Sequence, residues 1–203
     1  AIPDHTPLPP ELKAIADDLG ILFFSTAFDK TSVDLLEDLG VFCHKIASFE
    51  LVDLPLIEYA SKTKKPLIMS TGMATLREIQ EAVTAARHAG ARDITLLKCV
   101  SSYPADPRDM NLRTIPDLQR RFRIPIGLSD HTLGTGAAAA AVALGACFVE
   151  KHFTLSRKIK TPDSFFESDI FAFMASKSFG HKKWLGQKPL NFSSSGYGYF
   201  IFI

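Results

Sequence analysis

His131 in "GLSDHTLG" (127–134) and His152 in "CFVEKHF" (147–153) each follow an apolar run, with about one strand–helix unit of chain between them. If the two runs are adjacent parallel strands, both imidazoles stand at equivalent strand ends. Two neutral imidazoles so placed can hold a divalent transition metal and leave positions open for water and substrate. Two histidines hydrogen-bonded to neighbouring carboxylates is the other reading of the same residues.

Lys45 lies within the apolar run of "HKIASFE". A buried lysine needs an anionic partner or a depressed pKa. It can bind a phosphate or carboxylate, form a Schiff base, or serve in a structural ion pair with a neighbouring strand. Thr26, Ser48, Ser70, Ser101 and Ser129 place hydroxyl groups at the ends of other apolar runs, and Tyr103 follows closely on one of them. A ring of hydroxyls around a lysine suits a phosphate or carboxylate. Glu50, two residues after Ser48, is either an acid–base group or a carboxylate at a helix start. Asp163 in "TPDS" falls in the loop after the last apolar run.

The elements that must position these residues are six short runs bounded by Gly or Pro. They are "ILFFSTAF" (21–28), "VFCHKIAS" (41–48), "PLIMSTG" (66–72), "ITLLKCVSS" (94–102), "IPIGLSDH" (124–131) and "CFVEKHF" (147–153). Such runs suit buried parallel strands. Helical stretches alternate with them. Thr75 and Glu78 form a capping box, and Leu76, Ile79, Val83 and Ala86 then share one face up to Gly90. Gly20, Gly40 and Gly145 close other helices, and Asp53 and Thr114 read as N-caps. Alternating strands and helices predict an α/β fold with a parallel sheet. Polar groups end every strand, including Lys151 in the last, and this favours a (β/α)8 TIM barrel over an open doubly wound sheet. Six strands make that barrel incomplete. The expected domain spans 1–174, and the tail 175–203, with its unpatterned aromatics and its "GYGYFIFI" end, reads as foreign to the barrel.

Bulk properties exclude several classes of partner. Net charge is +1, so no basic field draws nucleic acid or an anionic membrane. No run approaches the roughly 18 apolar residues of a membrane span. The N-terminal "AIPDHTPLPPELK" lacks the order of a signal peptide. Cys43, Cys99 and Cys147 lie in strand-like runs without a CxxC pair and are expected to be buried, reduced thiols of a cytoplasmic protein.

The ordered motifs "FFSTAFD", "KIASFELVDLPLI", "IMSTGMATLREI", "LLKCVSSYP", "MNLRTIP", "GLSDHTLG" and "EKHFTLSR" resemble the sialic acid synthase family over roughly Pro10 to Ser168. The resemblance implies strands 3–8 of a family barrel that is followed by a small antifreeze-like domain, in a homodimer. It implies condensation of phosphoenolpyruvate with an open-chain N-acetylated amino sugar, giving a nine-carbon 2-keto acid and phosphate. It also implies a divalent metal, Mn2+ or Mg2+. On the matching positions His131 and His152 would be metal ligands. Thr26, Lys45, Ser48, Ser70, Ser101, Tyr103 and Ser129 would hold phosphoenolpyruvate, Glu50 would stand near the attacking water, and Asp163 would bind the sugar. Ser101 stands where some members carry an asparagine, and Thr161 replaces a glycine before Pro162 and Asp163. "FSTAFDKTSVD", "SFELVD" and "PDS" lean toward the pseudaminate branch, although N-acetylneuraminate and legionaminate synthases share most motifs. Without the family's first strands the chain is expected to turn over slowly or not at all. A non-catalytic barrel remnant that binds metal or phosphoenolpyruvate is the alternative of another class.

Overall fold

The computed structural model describes residues 9–152, so the expectations placed on Asp163 and on the 175–203 tail lie outside the described residues. Within that range the chain alternates helix and strand. Its elements are α1 Pro9–Asp18, α2 Lys30–Asp38, β1 His44–Ile46, α3 Leu54–Ser61, β2 Leu67–Ser70, α4 Leu76–His88, β3 Ile94–Cys99, α5 Thr114–Phe122, β4 Ile126–Asp130, α6 Gly136–Ala143 and β5 Val149–Lys151.

Local chemistry sets most boundaries. The Asp53 carboxylate accepts from Leu56 N at 3.0 Å and starts α3. Thr75 Oγ1 accepts from Glu78 N while Glu78 accepts from Thr75 N, closing the expected capping box of α4. Gly90, with φ of 111°, lets the chain reverse after α4 where a side chain would be strained. Gly20, Gly40 and Gly145 also take left-handed values after helices. Two expectations shift. Thr114 is not a cap but the first residue of α5, whose cap position is Arg113 with no side-chain bond. Leu76 is exposed, since it opens α4 ahead of the turns that lie on the sheet, and Ala82 joins Ile79, Val83 and Ala86 in the buried stripe.

The strands pair in the order β1-β2-β3-β4-β5, all parallel. A doubly wound sheet reverses its order at a switch point, and this one does not. It also curls. Four strand spacings would part β1 and β5 by ~19 Å if flat. Yet Lys45 on β1 and Glu150 on β5 bring their charged atoms within 3.4 Å. The fold is therefore an incomplete (β/α) barrel, as expected. The 21–28 run is not a regular strand. It is an extended segment joined to β1 by one bridge, Thr26 to Lys45, and by Ala27 N donating to Lys45 O at 3.0 Å. Five strands and this segment replace the six expected.

The core lies between the outer face of the sheet and the helices. Leu67, Met69, Leu96 and Leu128 from the strands join Ile57, Ile79, Val83, Ile115 and Leu118 from the helices, all buried. Each such side chain contributes roughly 1.5–3 kcal/mol when fully buried. Cys43 and Cys99 are buried and free, as expected, whereas Cys147 is only half-buried.

Candidate active site

Strand side chains alternate between two faces, and paired residues on neighbouring parallel strands share a face. Register therefore follows one face across the whole sheet. Thr26 pairs with Lys45, Lys45 with Ile68, Ser70 with Leu97, Cys99 with Ser129, and Ser129 with Glu150. Steps of two along β2 and β3 join these pairs into one set. The inner face thus ends in Lys45, Ser70, Cys99, Ser129 and Glu150, all at the C-terminal ends of their strands. The other face carries Asp130 and Lys151.

This corrects one expectation. Lys151 does not open into the mouth; its ammonium donates to Asp130 at 2.8 Å and to the Thr132 carbonyl at 2.7 Å. Strand alternation turns it away from the face that carries Glu150.

Around the mouth the hydroxyls come together. Gly72 N donates to Ser48 Oγ at 3.1 Å. A Cβ on Gly72 would collide with Ser101 Oγ and stand 2.9 Å from Ser48 Oγ and 3.1 Å from Cys99 Sγ. Glycine at 72 is what lets Ser48, Ser101 and Cys99 converge. Ser70 is 2% exposed, and neither its Oγ nor that of Ser101 has a hydrogen-bond partner. Glu50 opens the 3-10 turn Glu50–Val52, with Oε2 buried and also without a hydrogen bond. Unpaired buried oxygens on this scale are costly. Their concentration at one end of the barrel marks a surface shaped for a polar ligand.

The two histidines meet as their strand ends required. Their ring centroids are 5.2 Å apart, and Tyr103 stacks at 4.1 Å from His131 and 5.8 Å, edge-on, from His152. His131 Nδ1 lies 2.8 Å from the Val100 carbonyl. A carbonyl only accepts, so Nδ1 carries the proton and Nε2 keeps the lone pair of the neutral ring. A protein carbonyl fixing one ring nitrogen is how metal-binding histidines are oriented. The donor set fits a divalent metal held by two imidazoles. Among the described residues no group of three or more His, Cys, Asp or Glu gathers at metal-binding range. Substrate or water would complete such a site.

Charge at the mouth is balanced locally. Burial alone would depress His131, but its bonds to Cys99 and the Val100 carbonyl and the nearby Glu150 charge outweigh it and raise its pKa. Burial pushes the Cys99 thiol up, but contacts with His131, Ser48 and Ser129 hold it below its ordinary value. Lys45 pairs with Glu150, which realises the ion-pair alternative for this lysine.

The structure thus gathers Thr26, Lys45, Ser48, Glu50, Ser70, Ser101, Tyr103, Ser129, His131 and His152 around the strand ends. Sequence reasoning missed two members, Cys99 and Glu150. A signal existed for both: each precedes by two a residue already placed at the mouth, Ser101 and His152, and so shares its face.

A curled parallel sheet with histidines, a lysine and hydroxyls at its C-terminal strand ends is the arrangement of a barrel enzyme. Residues 8–188 match the NeuB family, and the chain belongs to that family. It is 46% identical over 163 residues to the pseudaminic acid synthase of Helicobacter pylori, covering 80% of this chain and 48% of that protein. It is 46% identical over 155 residues to the N,N'-diacetyllegionaminic acid synthase of Campylobacter jejuni, covering 75% and 46%. Among solved structures, the N-acetylneuraminic acid synthetase of Leptospira borgpetersenii, in complex with citrate, superposes with a TM-score of 0.83 at 34% identity. That alignment covers 89% of this chain and 64% of the other. The chain spans about half the length of these curated relatives. The resemblance read from the motifs is borne out.

Proposed function

We propose that this barrel mouth serves the condensation of phosphoenolpyruvate with an open-chain N-acetylated amino sugar, the reaction of a pseudaminic acid synthase. The observation that supports it best is the pair of buried, unpartnered hydroxyls, Ser70 and Ser101, on the same inner face as the buried Lys45. Donors left unpaired beside an ammonium suit a small, multiply charged anion.

Each residue then has a task. Lys45 and the hydroxyls of Thr26, Ser48, Ser70, Ser101 and Ser129 hold the carboxylate and phosphate of phosphoenolpyruvate, with Tyr103 over the histidines. His131 and His152 would hold a divalent metal, manganese or magnesium, which when bound would supply Lewis-acid polarisation of the sugar aldehyde. The enol carbon bonds to the aldehyde carbon as the C=O π pair passes to the aldehyde oxygen, which takes up a proton to become a hydroxyl, and positive charge develops at C2. Glu50 takes a proton from the water that adds there. The C2 hydroxyl then gives its proton to the leaving phosphate as the C–O bond to phosphate breaks, which leaves the 2-keto acid. Holding both reactants in register lowers the barrier by pre-paid ordering. Asp163, outside the described residues, is assigned to the sugar. The segments "FSTAFDKTSVD", "SFELVD" and "PDS" favour a 2,4-diacetamido-2,4,6-trideoxy-altrose as that sugar, while overall identity is the same, 46%, to a pseudaminic and to a legionaminic acid synthase. A homodimer and a cytoplasmic setting accompany the reading. Among the described residues no helix is long and apolar enough to cross a membrane.

A thermal melt of the chain tests it. Manganese with phosphoenolpyruvate should raise the midpoint, because a ligand of the native state stabilises it. The altrose derivative should add to the shift more than N-acetylmannosamine does. No shift with either ligand present would overturn the proposal.

A further inference from the structure

Two lysine–carboxylate pairs bridge strand ends in this sheet, and they are built differently. On the outer face Lys151 is gripped by Asp130 at 2.8 Å and by the Thr132 carbonyl at 2.7 Å. Asp130 in turn accepts from Thr132 N and Oγ1 at 2.9 Å and 2.8 Å. In that pair both charged groups are hydrogen-bonded at short range. On the inner face the contacts of Lys45 with Glu150 and with the Ile46 carbonyl are long, 3.4 Å and 3.3 Å. Glu150 Oε2 takes no hydrogen bond, so this contact is one of charge alone. Both side chains are nevertheless largely buried, at 3% and 13% exposure. A buried ammonium needs an opposite charge, but so long a contact ties the Glu150 carboxylate to it only loosely.

We infer that Glu150 is an exchangeable counter-ion: it neutralises Lys45 until a phosphate-bearing anion arrives, and then yields the ammonium to it. This deepens the proposed function and rests on that reading of the mouth. Glu150 acts through Lys45 and is a positioning residue. Two consequences follow from its charge. An anion bound at Lys45 stands near the displaced carboxylate, and like charges at that range repel. The carboxylate therefore sets a ceiling on anion affinity, and its return to Lys45 helps to expel product phosphate. A pair that served only to brace β1 against β5 would change stability and leave anion affinity alone.

The sign of one mutation decides between these roles. Glu150→Gln keeps the side chain's size and removes its charge. The variant should melt lower than the parent chain without ligand, because Lys45 loses the nearby Glu150 charge. It should bind phosphoenolpyruvate and inorganic phosphate about tenfold more tightly, read by calorimetric titration of the whole 203-residue chain. Unchanged or weaker binding of both anions overturns the inference. If the variant does not fold alone, phosphate should restore its cooperative melt. The double variant Lys45→Met/Glu150→Gln should fold and bind neither anion. Failure of phosphate to restore the single variant, while the double variant folds, also overturns it. Tighter phosphate binding in Glu150→Gln, with no phosphoenolpyruvate binding in either chain, would keep the counter-ion role and remove the phosphoenolpyruvate reading.

Discussion

His131 Nδ1–H donates to the Val100 carbonyl at 2.8 Å, and that bond makes Nε2 the nitrogen with a lone pair. The carbonyl belongs to the residue just beyond β3, so the tautomer is set by backbone and survives changes to nearby side chains.

Metal binding is therefore expected to depend on both imidazoles. His131→Gln and His152→Gln should each weaken Mn2+ binding by more than about 100-fold. Titration of free Mn2+ by electron paramagnetic resonance, with no substrate present, reads this directly. Retained affinity in either variant would remove that histidine from the ligand set.

Gly72→Ala tests the convergence of the hydroxyls. The added methyl would press on Ser101 Oγ, Ser48 Oγ and Cys99 Sγ. Overpacking of this kind costs about 1–3 kcal/mol. The melt should fall by a few degrees while the shift caused by phosphoenolpyruvate disappears. A variant that keeps the full shift would mean the three side chains need not approach at residue 72.

The capping box of α4 is exposed and separate from the mouth. Thr75→Ala should cost ~1 kcal/mol in urea unfolding, the usual effect of losing an N-cap hydroxyl. Phosphoenolpyruvate binding, corrected for the fraction folded, should stay as in the parent chain.

Acid stability should track His44. This ring is fully buried on the outer face, donates from Nε2 to Glu37 at 2.8 Å, and has no partner at Nδ1. Burial holds its pKa below 6.5, although the Glu37 carboxylate pulls the other way. The unfolded chain thus takes a proton near pH 6.5 that the folded chain refuses. The stabilisation is complete above that pH and is lost as the pH falls through the folded pKa. Glu37, whose pKa is lowered by Lys65 and His44 against the effect of burial, adds a second loss below pH 4.5. In His44→Gln the first loss should vanish from urea midpoints measured across that range. An unaltered slope would assign the acid sensitivity elsewhere.

Much of this protein was legible in the order of its residues. The capping box at Thr75 and Glu78, the cap at Asp53 and the left-handed Gly90 are local events, decided within one turn of chain. Strand-length apolar runs ending in Lys45, Ser70, Ser129, His131 and His152 announced both the parallel sheet and the strand ends at which these side chains gather. Local signals also set the limits of that reading. The 21–28 run has strand composition, yet makes only one bridge to β1, because pairing needs a partner in register as well as propensity. Tertiary structure alone decided which charges meet. Lys45 and Glu150 lie on the first and last strands and touch because the sheet curls. Lys151, one residue beyond Glu150, turns to the opposite face and closes on Asp130. Sequence carries the period-two alternation that separates Glu150 from Lys151. The curvature that chooses their partners arises only when all the strands pack.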